Sequence, residues 1–160
     1  CDPGTEYPVM RLDGTRSGVT FVMRADVLYC RLPSGRYLTY HHPRLSPSER
    51  GGQAISYEGY NTNPKNGPVG WIRMNTWGGR LVENINQAAC RDIMTFACRN
   101  LEAAGYPVVL HIYDEIVSEI PEGWGSQAEF EAIMERRPSW AHDWPIRAPG
   151  AWRAKRYRKG

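Results

Sequence analysis

The chain has no apolar run that reaches the roughly 20 residues a bilayer-spanning helix needs, and no basic-then-apolar leader opens it. Secretion and membrane insertion therefore have no support. Cysteine is scarce. The four residues Cys1, Cys30, Cys90 and Cys98 form no CxxC pair and no Cys/His cluster with zinc-ligand spacing. Cys90 and Cys98 lie eight residues apart in a helical pattern, too far to bridge each other. Reduced thiols in a cytosolic protein are the expectation. A GxSxG elbow, a Ser-His-Asp order and a glycine-rich loop ending in GK[ST] are all absent, so neither a serine hydrolase nor a P-loop is indicated. No internal repeat or low-complexity segment occurs. Cys1 follows no initiator Met, so a processed product or a piece of a longer chain is expected.

What is present suits one modest domain of 160 residues, 41% of them hydrophobic. The net charge of +3 is unevenly placed. Arg147, Arg153, Lys155, Arg156, Arg158 and Lys159 supply six basic residues without an acid among them, leaving 14 basic against 17 acidic elsewhere. Such asymmetry suits contact with a polyanion. A solvated tail that maintains solubility is the alternative.

Residues 1–26 are expected to be a loose lead-in, with a first strand signal at Val19–Met23. Val27–Leu32 and Arg36–Tyr40 read as a hairpin around Pro33-Ser34-Gly35. Residues 41–52 and 61–70 carry loop chemistry, and Gln53–Tyr60 alternates as a strand does. From Gly79 to Ala104, apolar residues recur at steps of three and four, with Gly105 as a stop. Arg80, Asn84, Gln87 and Arg91 are expected on the opposite, polar stripe. Val108–Tyr113 and Ile116–Ile120 flank Asp114-Glu115, which predicts a hairpin with acids at its tip. Ser126–Arg137 reads as a short helix, capped by Ser126 with Glu129 in the capping-box position. The fold class is α+β: an antiparallel sheet with one long helix packed on it.

Asp114 is the candidate functional residue. A carboxylate at a strand tip escapes burial while the strands fix its position. Its oxygens suit Mg²⁺, which keeps waters and phosphate oxygens around a few protein ligands. Asp is also common in solvated turns for local hydrogen-bonding reasons. His41-His42 makes a poor chelate, because neighbours on an extended chain point to opposite faces. Six Trp and nine Tyr could stack on bases, or could fill a core.

Four segments carry a resemblance. Val108-Val109-Leu110-His111-Ile112-Tyr113-Asp114-Glu115-Ile116-Val117 resembles motif C of family A DNA polymerases. Thr76-Trp77-Gly78-Gly79-Arg80 through Gln87 to Met94 resembles the long helix preceding motif C in phage members. Arg31-Leu32-Pro33-Ser34-Gly35-Arg36 resembles a hairpin those enzymes carry after the fingers. Trp140-Ala141 and Arg156-Tyr157-Arg158-Lys159 resemble their C-terminal segment. Order and spacing agree over residues 27–160.

The resemblance implies that 27–160 form the C-terminal portion of a polymerase palm. Asp114 would be a catalytic carboxylate and a ligand of Mg²⁺, and Glu115 a secondary acid. Gln87 would contact the primer–template minor groove. Tyr113, where the family usually has His, would lie near the primer end, and Arg80 and Arg91 could meet phosphates. Implied partners are primer–template DNA, a deoxynucleotide and the remainder of the polymerase, in the cytoplasm of a phage's bacterial host. Motifs A and B are absent, and with them the partner aspartate that a two-metal site requires. The isolated chain is therefore expected to be inactive, its unfinished apolar surface exposed or covered by self-association. The alternative is a non-catalytic nucleic-acid-binding or accessory module that keeps the palm shape.

Overall fold

A computed structural model describes residues 2–47 and 51–151, apart from the side chain of Asn66. Cys1 and residues 152–160, with most of the basic tail, lie outside the described residues. The chain divides into two compact units, Cys1–Ala89 and Cys90–Gly160. No helix among the described residues is long and apolar enough to cross a membrane.

The first unit holds six strands: β1 (Glu6–Met10), β2 (Arg16–Arg24), β3 (Val27–Arg31), β4 (Tyr37–Pro47), β5 (Gln53–Asn61) and β6 (Gly70–Thr76). They pair in sequence order as one antiparallel meander. One face carries Val19, Leu28, Cys30, Leu32 and Tyr40, all buried. A helix, α1 (Gly78–Ala103), begins after β6. Its Leu81, Ile85 and Ala88 recur at the helical period and pack on that face. The fold is thus α+β, with a long helix laid on an antiparallel sheet.

The Leu32–Gly35 turn explains its own residues. Leu32 anchors it in the core at 1% exposure. Pro33 presets φ at the first turn position, and Gly35 takes φ +87 while its N–H donates to the Leu32 carbonyl. Arg36 then reaches α1, where its guanidinium donates to the Ala88 carbonyl at 2.8 Å. At the helix start, a Cβ on Gly79 would run into the Trp77 ring.

Several elements differ from expectation. Within the stretch taken as a lead-in, β1 and most of β2 are paired strand. The expected loop at 41–52 is strand as far as Pro47. Pro43 is tolerated because the register shifts between His41 and Arg44, and a bulge needs no ladder donor there. Strand β6 drew no sequence signal, since Trp71 places a large apolar side chain on the face opposite the core. Asn84 does not join the polar stripe. It sits three residues from Leu81 and four from Ala88, and its amide donates to the Tyr40 hydroxyl at 3.3 Å.

The second unit contains the rest of α1, a hairpin of β7 (Val108–Ile112) and β8 (Glu115–Ser118), and α2 (Gln127–Met134). Its core is Leu101, Tyr106 and Ile133, with Val108, Ile116, Ile120, Phe130 and Met134 against them. α1 ends in a Schellman turn. Gly105 takes φ +87, its N–H donates to the Glu102 carbonyl, and the Tyr106 N–H donates to the Leu101 carbonyl. Gly105→Ala should destabilise the protein by about 1–2 kcal/mol, because alanine resists positive φ and its Cβ would press on the Trp124 ring. Urea denaturation reads this directly, and an unchanged midpoint would contradict it.

Ser126 caps α2 as the sequence predicts, accepting from the Glu129 N–H at 3.1 Å. The reciprocal half of the capping box runs through a third residue. The Ser126 N–H donates to the Tyr106 hydroxyl, which donates to Glu129 at 2.6 Å. Gly125 is needed here, since a Cβ would stand 2.6 Å from that hydroxyl. Burial, then the Glu129 carboxylate, push the Tyr106 phenol above its usual range.

Cys30, Cys90 and Cys98 are free thiols. Desolvation pushes Cys30 up to about 11, whereas Cys90 is exposed. A thiol raised in the folded state contributes stability that is complete below its unfolded value of about 8.5. That contribution is lost as pH climbs towards about 11. A thiol reagent at pH 8 should modify Cys90 quickly and Cys30 only on unfolding. Equal rates would show that the sheet core is open.

Candidate active site

The β7–β8 hairpin is held from below. Val108 and Ile116 pack into the core of the second unit. The Val108 N–H donates to the Glu102 carboxylate of α1 at 2.7 Å. Between Val108 and Leu110 the register slips, with one extra residue on β7. Bulges of this kind bend a strand and re-aim the side chains beyond them. Past the bulge, Leu110 pairs with Val117 and Ile112 with Glu115, so these four share one face. Leu110 and Ile112 are exposed on it.

Only Tyr113 and Asp114 connect the strands. Two-residue hairpin loops call for positive φ at the first central residue, usually from Gly, Asn or Asp. Tyr113 takes φ +52 instead. For a bulky residue this conformation costs about 1–2 kcal/mol, and strain of this kind clusters at functional sites. One contact offsets part of it: the His111 Nε2–H donates to the Tyr113 carbonyl at 3.1 Å. That bond fixes the tautomer, since a carbonyl can only accept. The Tyr113 ring is 90% exposed. Asp114 is exposed and makes no hydrogen bond or ion pair among the described residues.

The sequence-predicted residues are thus partly assembled. Tyr113, Asp114 and Glu115 are consecutive at one hairpin tip. Gln87 and Arg80 are exposed on the first-unit part of α1, and Arg80 pairs with Glu83 at 3.7 Å. Arg91 is exposed on the second-unit part. Among the described residues, no group of three or more His, Cys, Asp or Glu side chains gathers to hold a metal. Asp114 puts a hard carboxylate donor at the turn, the ligand type that Mg²⁺ takes, and Glu115 follows as the first residue of β8.

An outward acid on a strained, braced turn, approached by two apolar strands, is now joined by a likeness in sequence. The chain is similar to a phage DNA polymerase. It is 42% identical over 134 residues to the DNA polymerase of Bacillus phage SP02. The match takes in 83% of this chain and spans about a fifth (20%) of the length of that relative. No protein-family profile matches the chain, and no solved structure matches it.

Sequence reasoning found the hairpin tip but missed its supports. Arg36, Glu102 and Tyr106 hold the elements on which the candidate residues stand. For Tyr106 a signal existed: an aromatic directly after a helix-ending glycine is the position that packs back on the last turn.

Proposed function

We propose that the chain is the C-terminal palm portion of a family A DNA polymerase of phage type. The observation that carries this reading is the exposed Asp114 carboxylate on the strained two-residue tip of a motif C-like hairpin. Identity of 42% to a phage DNA polymerase supports it independently.

In this reading Asp114 is the catalytic carboxylate and metal ligand, and Glu115 assists from the adjacent position. A magnesium ion held there would stabilise the charge on the attacking and leaving oxygens of nucleotidyl transfer. The ion would need a second aspartate from another part of the polymerase, since Asp114 and Glu115 alone cannot enclose it. Gln87 offers amide donors to the acceptors of the primer–template minor groove. Arg80 and Arg91 neutralise phosphates. The Tyr113 phenol stacks or donates a hydrogen bond near the primer end, and unlike an imidazole it has no cationic form. The exposed side chains of Val109, Leu110 and Ile112 are then covered by the remainder of the polymerase, or by self-association when the chain is alone. The setting is the cytoplasm of a bacterial host.

The test is a chimera in which this chain replaces its aligned segment of the SP02 polymerase. Primer extension with Mg²⁺ is expected from the chimera and none from the chain alone. A chimera that folds and binds primer–template but never extends it would favour the non-catalytic module.

A further inference from the structure

The six-stranded sheet has a second face, and α1 packs on the other one. Register assigns its occupants. Tyr29 and Tyr37 sit on it through the β2–β3 and β3–β4 pairings, and His41, Tyr60 and Trp71 through the pairings of β4, β5 and β6. These rings lie in two groups. Tyr29 and Tyr37 meet edge to face at 5.8 Å. Trp71 meets His41 at 6.1 Å and Tyr60 at 6.2 Å, again edge to face. Trp71 is nonetheless 67% exposed and Tyr60 57%. Large ring area therefore faces solvent on an ordered surface, where rings normally seek cover.

The charges on this face are just as uneven. The same pairings assign it Arg24, Arg31, Arg44 and Arg73 against Glu6 and Glu58. Each glutamate holds one arginine in place: Glu58 with Arg73 at 2.9 Å, and Glu6 with Arg31 at 3.6 Å. Glu58 is also bound by His42 at 2.8 Å, and that hydrogen bond, ahead of the nearby cations, holds its carboxyl below the usual range. Arg24 and Arg44 enter no ion pair among the described residues. A cavity of about 430 Å³, lined by Asp26, His42, Pro43, Arg44 and Glu58, opens at the β4 bulge. It offers donors and acceptors on the same face.

We propose that this face binds single-stranded nucleic acid, its bases stacked on Trp71 and Tyr60 and its phosphates met by Arg44 and Arg24. Aromatic platforms stack any base, because every base has a π-face, while flanking cations track the backbone. A sheet face built to be covered by protein would be rich in branched aliphatics. At its paired positions this one has only Val22 and Val27, and Val22 is already buried. The inference does not depend on Asp114 and adds a strand-holding surface to the proposed polymerase.

The probe is a fluorescein-labelled oligothymidylate of about 20 nucleotides, longer than one typical site. Its fluorescence anisotropy is titrated with the full chain in the absence of divalent ions and nucleotides. Trp71→Ala should weaken binding by roughly tenfold or more at both low and raised salt, and Trp71→Phe should recover most of the loss. Arg44→Ala should weaken binding at low salt and flatten its salt dependence. Both positions are exposed, so circular dichroism should match the parent. Absence of binding overturns the proposal. So does an affinity that Trp71→Ala and Tyr60→Ala leave unchanged, which would assign binding to the basic tail. A dimer that Trp71→Ala dissociates and the oligonucleotide does not compete would make the occupant protein. Since the assay involves no chemistry, its failure leaves the Asp114 reading standing.

Discussion

Asp114→Asn should lower primer extension by the chimera about a thousandfold, the scale for losing one fixed electrostatic group aimed at a reacting centre. The substitution isolates charge from shape. Asn is nearly isosteric with Asp and equally at home in a tight turn. Asp114 is exposed and unpartnered among the described residues, so folding stability should move by less than about 0.5 kcal/mol. A dead but stable variant is therefore the expected result, read as kcat from single-nucleotide incorporation together with a urea curve. Glu115→Gln should cost far less, about tenfold, as for a group that acts beside a ligand rather than as one. If the Asp114→Asn chimera extends primers at the parent rate, the acid at this tip is a turn residue and nothing more.

The parts of the fold legible in the sequence are those where local chemistry and tertiary packing agree. The long helix was readable to within a residue at each end, because the apolar period runs unbroken and Gly105 supplies the positive φ that ends it. The hairpin was readable because two β-branched runs flank a short acidic break, but the connecting pair is Tyr113-Asp114 rather than Asp114-Glu115, since Glu115 already pairs with Ile112 in β8. Elements hidden from sequence reading are those where the two faces of an element give competing signals. In β6, Ile72 and Met74 alternate with exposed Arg73 and Asn75, but Trp71 sets a large apolar ring on the exposed side and the Gly and Pro before it carry loop chemistry, so the short strand stays hidden. Pro43 masks the length of β4 because a proline argues against strand until a bulge supplies a place for it. Asn84 shows the same limit on a helix. Polarity assigns it to the outer stripe, while geometry sets it beside Tyr40, whose hydroxyl needs a partner inside. The positive φ at Tyr113 could not be read at all, since nothing in an aromatic residue announces a left-handed backbone.

That strained turn stands on a small core, which makes Leu101→Ala the most damaging single truncation expected in the second unit. Leu101 is fully buried against Tyr106 and Ile133, and Val108 and Ile116 of the hairpin pack into the same cluster. Trimming its isobutyl side chain to a methyl loses transfer energy and opens a cavity among Tyr106, Ile133 and the residues packed on them. A loss of about 3 kcal/mol follows from comparable truncations. Against the roughly 5–15 kcal/mol that holds a typical domain, that is a large share. The Leu101 carbonyl also receives the Tyr106 N–H, so movement of the helix end would reach the Tyr106 hydroxyl and its bond to Glu129. Urea denaturation should show a lower midpoint with an unchanged slope, and Leu101→Met, which keeps most of the volume, should lose less than about 1.5 kcal/mol. The hairpin should loosen first. Tyr113 keeps its unfavourable φ only while the strands on either side are clamped, so amide exchange at 110–117 should quicken in Leu101→Ala before the sheet of the first unit responds. A variant with parental stability would mean that the cluster around Leu101 is not what holds Asp114 in position.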